Sequence, residues 1–145
     1  MQMILGVVCI LFGALGWAGQ LLSAVSFERA QRLGLQEKSE ETDLLFRLAE
    51  RHAAVWDALV LWPMILCGVL ILLDHSAWPA AALVAGGIYL DAAGRETAKI
   101  RSLSLGGIRI GGPSAKRIQR VFFALMAGLA AWLLVYAVSI QRFPA

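Results

Sequence analysis

Residues 47–73 read RLAERHAAVWDALVLWPMILCGVLILL. After a charged first turn, the run from Ala53 to Leu73 is apolar except for Asp57. As a helix, these 21 residues would extend about 30 Å, the hydrocarbon thickness of a lipid bilayer. Pro63 removes one backbone hydrogen bond inside the run, so a kink is expected there. The stretch therefore predicts a kinked membrane-spanning helix that carries charge at one end.

The composition of the whole chain agrees with a membrane protein. Of its 145 residues, 59% are hydrophobic and 16% are charged, whereas a soluble domain is nearer half apolar and a quarter charged. The apolar residues form four blocks, at about 3–25, 53–73, 79–93 and 121–140. The sequence therefore predicts an all-α integral membrane protein, a four-helix bundle that forms a single domain over residues 1–145.

Three local features add detail to this bundle. The link from Asp74 to Ala77 is so short that the second and third helices must form an antiparallel hairpin. Helical pattern continues past residue 93 to Lys99, which predicts a third helix that projects beyond the bilayer. Gly6 and Gly13 make the first helix thin, and small residues let membrane helices approach closely, either within one chain or between subunits.

Lysine and arginine positions predict the orientation. Of the 13 basic residues, twelve lie in or beside the two long connections, and only Arg142 lies elsewhere. Cytoplasmic loops of membrane proteins carry an excess of lysine and arginine. Both long connections are therefore expected in the cytoplasm, with both chain termini and the short hairpin outside, as in a multi-pass protein of the cell (inner) membrane.

Two acids lie inside predicted spans, and both fall in the cytoplasmic third. An ionised carboxylate that faces lipid costs several kcal/mol, so Asp57 and Asp91 are expected to face the bundle interior and to be paired. Charged residues near the same level are Arg47, Glu50, Arg51 and Arg95. The pattern is compatible with an ion-pair network that closes the bundle, with a polar cavity for an anionic or zwitterionic ligand, or with a proton or ion step. It leaves the pairing open.

The glycine-rich connection from Ser102 to Pro113 precedes a basic helix start, for which Ser114 is the predicted N-cap. Glycines let backbone N–H groups approach an anion, and a helix N-terminus favours negative charge. The basic residues expected to bind an anion or anionic lipid headgroups there are Arg109, Lys116, Arg117 and Arg120. A flexible turn held at lipid headgroups is the simpler interpretation.

Other kinds of site have little support in the sequence. Cys9 and Cys67 lie in apolar segments without metal-ligand spacing, so no metal site is expected. The basic residues flank apolar blocks without aromatic residues that would stack on bases, so nucleic acid is not an expected partner. Whether the chain is an enzyme stays open.

The helix-two region carries Arg47, Arg51 and Asp57, and helix three carries Tyr89 and Arg95. This layout, four spans with both termini outside and a long first cytoplasmic connection, resembles the membrane-associated proteins in eicosanoid and glutathione metabolism (MAPEG). The resemblance implies a homotrimer that binds glutathione at subunit boundaries near the cytoplasmic side, with these residues near the family's functional positions. The family's helix-two asparagine is replaced here by an apolar residue.

The functional prediction is a MAPEG-like binder or transferase that acts on a small anionic or lipophilic ligand. Residues expected to bind the ligand are Arg47, Glu50, Arg51, Asp57, Tyr89, Asp91 and Arg95. One alternative is a small channel or transporter whose pathway is lined by Asp57 and Asp91. Another is a scaffold or accessory subunit that associates through glycine-rich helix faces.

Overall fold

A computed structural model of the protein describes residues 2–142, with side chains described for residues 2–140. Its regular structure is helical, and residues 2–142 contain no strand beyond one isolated bridge between Thr42 and Ile110. The helices are α1 (Gln2–Val25), α2 (Phe27–Arg32), a short 3-10 turn (Ser39–Glu41), α3 (Leu44–Val60), α4 (Pro63–Leu72), α5 (Trp78–Leu105) and α6 (Pro113–Arg142). The all-α prediction is confirmed.

Three helical segments are long and apolar enough to cross a membrane: α1, α3 with α4 as one unit, and α6. Their mean hydropathies are 2.0, 2.2 and 2.3, and only 22–33% of each apolar stretch is buried in the chain. Large side chains such as Met3, Leu59 and Val135 are more than 60% exposed. An apolar surface of this extent requires lipid or another chain to cover it. Helix α5 is not among the three, because glycines and, from Asp91 onward, charged residues dilute its apolar run.

The helices pack through small residues. Helix α1 lies against α3 and α4, α4 lies against α5, and α5 has its most extensive contact with α6. Gly6 and Gly68 bring the backbones of α1 and α4 together, since a Cβ added to Gly68 would lie 2.6 Å from the Gly6 carbonyl oxygen. Gly86 similarly lies against Leu134 of α6. These glycines therefore serve packing within the chain.

The helix break at Pro63 is confirmed and is braced by two side chains. Helix α3 ends at Val60 and α4 begins at Pro63. The hydroxyl of Tyr89 donates to the carbonyl oxygen of Leu61 at 3.1 Å, and the indole Nε1 of Trp17 donates to the carbonyl oxygen of Ala58 at 2.8 Å. Side-chain donors thus satisfy carbonyl groups next to the break, as buried backbone requires.

Helix α5 spans 28 residues and ends at Leu105, so the prediction that the third helix continues to Lys99 is confirmed. The predicted N-cap of the last helix was wrong. Helix α6 already begins at Pro113, and the first helical bond runs from the Lys116 N–H to the carbonyl oxygen of Gly112. Ser114 therefore lies inside the first turn, because proline is favoured at the first helical position and shifts the start toward it.

The Gly6–Gly68 contact makes a stability prediction. Gly68→Ala should lower the free energy of unfolding in detergent by about 1–3 kcal/mol, the usual cost of overpacking, because the atoms it meets include backbone atoms of Gly6 and Ile10. Gly128→Ala is the matched control, since nothing lies within 4 Å of its added methyl group. Thermal unfolding of the two variants checks this, and equal unfolding midpoints would show that α1 and α4 do not pack through Gly68.

Candidate functional site

A cavity of about 530 Å³ lies at the end of the helices where the two long connections meet. We call this end the charged end. The walls of the cavity come from α1, α3, α5, α6 and the connection around residues 31–41. One side is apolar and is formed by Leu15, Leu61, Phe122, Phe123 and Met126. The volume is in the range of pockets that hold drug-sized molecules.

The polar lining is mainly acidic. Five carboxylate side chains face the cavity, from Glu37, Glu41, Glu50, Asp57 and Glu96. Lys38 is the one basic residue in the described lining, and its residue is exposed. Uncharged polar groups are supplied by Gln20, Ser23, Gln31, Gln36 and Gln119. The predicted polar layer therefore exists at this end, but carboxylates and amides, instead of arginines, line the cavity.

A buried ion-pair network joins α3 to α5 beside the cavity. Asp57 is 2% exposed, and its Oδ1 lies 2.6 Å from Nη2 of Arg95. Nζ of Lys99 lies 2.6 Å from Oε1 of Glu50 and 2.5 Å from Oε2 of Glu96. The prediction that Asp57 is buried and paired is confirmed. Sequence reasoning missed Glu96 and Lys99, although their spacing of three residues places them on the same helix face.

The predicted inward position of Asp91 was wrong. The buried positions of α5 include Ala85, Tyr89, Ala92 and Glu96, a stripe at helical spacing. Asp91 lies off this stripe and is exposed in the single chain. It borders a separate groove of about 300 Å³, whose lining is Trp56, Val60, Gly87, Ile88, Asp91, Ala92 and Arg95. Tyr89 is fully buried and braces the helix break, so it does not reach the larger cavity.

The arginines predicted to surround the ligand have other places. Nη1 of Arg47 donates to the carbonyl oxygens of Ser39, at 2.6 Å, and Thr42, at 3.0 Å, so it braces the first connection. Arg51 is exposed and does not line the cavity. Arg95 does not line this cavity, but it is paired with Asp57, which does. An arginine-lined anion pocket is therefore not what the chain forms here.

The predicted anion site at the second connection is also partly occupied by protein. Nε of Arg109 is paired with Asp43, at 2.9 Å from its Oδ1. Arg117 and Arg120 are exposed, while Lys116 is partly buried next to Gly112. Nε of Arg120 donates to the carbonyl oxygen of Lys116. Arg109 is thus a structural residue, and Arg117 and Arg120 are left facing outward at the charged end.

We call the contact of the two connections the clasp, formed by Thr42, Asp43, Arg109 and Ile110. The Asp43 N–H donates to the Arg109 carbonyl oxygen at 2.9 Å, and the Arg109 N–H donates to Asp43 Oδ2 at 2.8 Å. Ile110 is completely buried. The backbone N–H of Arg109, followed by its guanidinium group, holds the pKa of Asp43 below its usual value.

The clasp brings glycines against two acids of the cavity. Gly111 has φ +111°, and a Cβ there would lie 2.9 Å from Oε2 of Glu37. Gly112 lies against the carboxylate of Glu41 in the same way. Burial raises the pKa of Glu37, and the nearby Glu41 and Glu50 carboxylates raise it further. Glycine is required at Gly111 both by its backbone angle and by this close approach.

The described residues contain no group of three His, Cys, Asp or Glu side chains placed to hold a metal ion. No protein-family model, curated protein or solved structure matches the chain. The chemistry of the site is the remaining guide to function.

The Asp57–Arg95 pair makes the second prediction. Asp57→Ala should destabilise the protein by about 3 kcal/mol, the lower end of the cost of breaking a buried ion pair, because the remaining arginine is partly exposed. Glu40→Ala, which removes an exposed acid of the first connection, is the control and should change stability by less than about 0.5 kcal/mol. Chemical or thermal unfolding in detergent measures both, and an equal loss in the two variants would contradict a structural role for the pair.

The clasp makes a prediction about pH. Because the pKa of Asp43 is lowered in the folded chain, its stabilisation is complete above its usual value of about 3.8. It is lost as the pH falls through the lower folded value. Thermal midpoints of the wild type and Asp43→Asn should therefore differ at pH 6 and converge in strong acid. Glu40→Gln, an exposed acid outside the clasp, is the control, and a difference that persists below both pKa values would contradict the ion pair.

Proposed function

We propose that the chain is a four-span integral membrane protein of the cell (inner) membrane, with α5 as the third span. Three spans are supported by their length and hydropathy. Support for α5 comes from its packing, since Ala82, Ala85 and Tyr89 of its apolar half are fully buried between α4 and α6. The twelve basic residues at the charged end favour a cytoplasmic position for that end and an outside position for both termini.

We further propose that this protein binds a small lipophilic ligand in the cavity at the charged end. The observation that carries the proposal is the cavity itself, which combines an apolar and aromatic wall with a few convergent polar groups. Its hydroxyl group, Ser23, already donates to the carbonyl oxygen of Gly19. The remaining polar lining consists of carboxylates, amides and Lys38, a composition that favours binding over nucleophilic chemistry.

The MAPEG resemblance supports a homo-oligomer, with a trimer favoured, and a lipophilic ligand near the cytoplasmic side. It also implies glutathione, but an acidic lining disfavours an anionic ligand of that kind. An oligomer has independent support from Asp91, because an ionised carboxylate that faces lipid is costly and a neighbouring subunit would remove that exposure.

The exposed arginines of α6 are assigned to the membrane surface. Arg117 and Arg120 face outward at the charged end, at the level where headgroups of the cytoplasmic leaflet would lie. Each basic side chain near an anionic leaflet contributes roughly 1 kcal/mol of attraction. We therefore propose that anionic lipid headgroups are their partners.

Transport of the same ligand is the second candidate function. It is favoured by Asp57, a carboxylate that lines the cavity from within a predicted span. Ligand flux in proteoliposomes separates transport from binding alone. Flux that is unchanged in Asp57→Asn, a variant that keeps the shape of the side chain, would count against transport along this route.

Filling the cavity tests the binding proposal. Gly19 lines the cavity and has nothing within 4 Å of an added Cβ, so a side chain can begin there without a clash, and Gly19→Phe should fill part of the cavity. The neutral probe N-phenyl-1-naphthylamine should bind the wild type in nanodiscs roughly tenfold more tightly than it binds Gly19→Phe, a difference of about 1.4 kcal/mol. Probe fluorescence, corrected with empty nanodiscs, provides the measurement.

Gly128→Phe is the matched control, because Gly128 has equal space but lies outside the lining of the cavity. It should bind the probe as the wild type does. Glutathione should not displace the probe. Equal binding by the wild type and Gly19→Phe contradicts the cavity as the site, and glutathione binding that is lost in Arg51→Ala would support the MAPEG-type anion site instead.

A further inference from the structure

We propose that the ligand of this cavity is a lipophilic organic cation. This inference rests on the proposed binding function and specifies the chemical class of the ligand. The charge of the site points to a cation. Five carboxylates line the cavity and Lys38 is the one cation in the described lining. Adding Arg95 and Lys99, which pair with lining acids from behind, still leaves a formal surplus of two negative charges.

The ion pairs show where this surplus of negative charge lies. Asp57 is neutralised by Arg95, while Glu50 and Glu96 share Lys99. Glu37 and Glu41, on the first connection, have no ion-pair partner among residues 2–140. One of the two surplus charges therefore remains with Glu50 and Glu96, and the other lies on the first connection, where Lys38 stands between Glu37 and Glu41. Charges in a partly enclosed, low-dielectric site act more strongly on a ligand than they would in water.

The arrangement of the acids and the volume of the cavity indicate the size of the cation. The acids do not form a group that could hold a metal ion, so a small inorganic cation has no coordination shell here. A volume of about 530 Å³ suits an organic molecule instead. Such a molecule could bring its charge toward Glu37 while its apolar body lies against the apolar residues of the lining.

The apolar part of the lining is suited to a cation as well as to hydrocarbon. Phe122 and Phe123 line the cavity with aromatic rings, and ring faces attract cations. These rings favour a ligand that carries a positive charge, whereas an anion would meet carboxylates and aromatic rings in the same lining.

Two probes of the same shape and opposite charge test the inference. Tetraphenylphosphonium is a cation and tetraphenylborate is an anion, and neither titrates. Specific binding is defined as the difference between the wild type and Gly19→Phe, measured by equilibrium dialysis in nanodiscs of neutral lipid. We expect specific tetraphenylphosphonium binding to be roughly tenfold tighter or more than that of tetraphenylborate.

Variants at the unpaired acids localise the effect. Glu37→Gln with Glu41→Gln should weaken tetraphenylphosphonium binding about fivefold or more, while binding of neutral N-phenyl-1-naphthylamine stays within about twofold. Glu28→Gln with Glu40→Gln is the matched control, since both residues are exposed and outside the cavity lining. An equal loss in the two pairs of variants would show only a general charge effect and would overturn the assignment.

A pH titration of the unaltered protein is an independent arm that does not depend on how a variant folds. The groups that face Glu37 are Glu41, Glu50 and the neighbouring Lys38. Since burial and the two acids raise the pKa of Glu37, ionisation at that site should be completed above the usual range of a glutamate. Affinity for tetraphenylphosphonium should rise with pH through that interval, and affinity for the neutral probe should stay constant.

The outcomes separate this inference from the proposed function. If the neutral probe distinguishes the wild type from Gly19→Phe but the phosphonium binds no more tightly than the borate, the cationic class is wrong and the binding function stands. If none of the three probes distinguishes the two proteins, both proposals are wrong. Phosphonium affinity that does not change with pH would also contradict the role given to Glu37.

Discussion

The ion pair between Asp57 and Arg95 is the constraint on which the charged end of this protein depends. A buried carboxylate without a partner would cost several kcal/mol in a low-dielectric interior, so α3 and α5 must keep these groups together. The two helices otherwise contact each other much less than the neighbouring helix pairs do. Lys99 adds a second link by holding Glu50 of α3 to α5. Charge pairs, and not close packing of small residues, therefore set the distance between these helices.

This spacing explains the cavity at the charged end. Toward the opposite end, glycines allow α1 to contact α4 and α5 to contact α6 at backbone distance. Long charged side chains cannot pack so closely, and the helices that carry them stay apart. The clasp then covers this open end, because the bridge of Thr42 and Ile110 brings the two connections together beneath it. Glu37 is carried to the cavity by the same connection.

Sequence reasoning succeeded where the local physics has one answer. The three long apolar helices, the break at Pro63 and the extension of α5 follow from hydropathy, proline chemistry and helical pattern. The burial of Asp57 follows from the cost of an unpaired charge. The identity of its partner did not follow, since several arginines lie at a similar depth and only the rotation of α5 selects Arg95. The same rotation turns Asp91 outward, and the short alanine-rich apolar run of α5 gives little indication of its buried face.

The charge of the cavity could not be predicted from the sequence, for a different reason. The chain has a formal net charge of +3, and most of its basic residues gather at the charged end. Yet Arg47 is bound to backbone carbonyl oxygens, Arg95 to Asp57 and Arg109 to Asp43. Each of these pairings removes a cation from the interior, and the pairings of Arg95 and Arg109 depend on contacts between distant parts of the chain. The acids of the first connection are left facing the cavity, so a basic protein contains an acidic site. A resemblance in topology does not predict whether the cavity lining is positive or negative, because its net charge is decided by which arginines the fold neutralises.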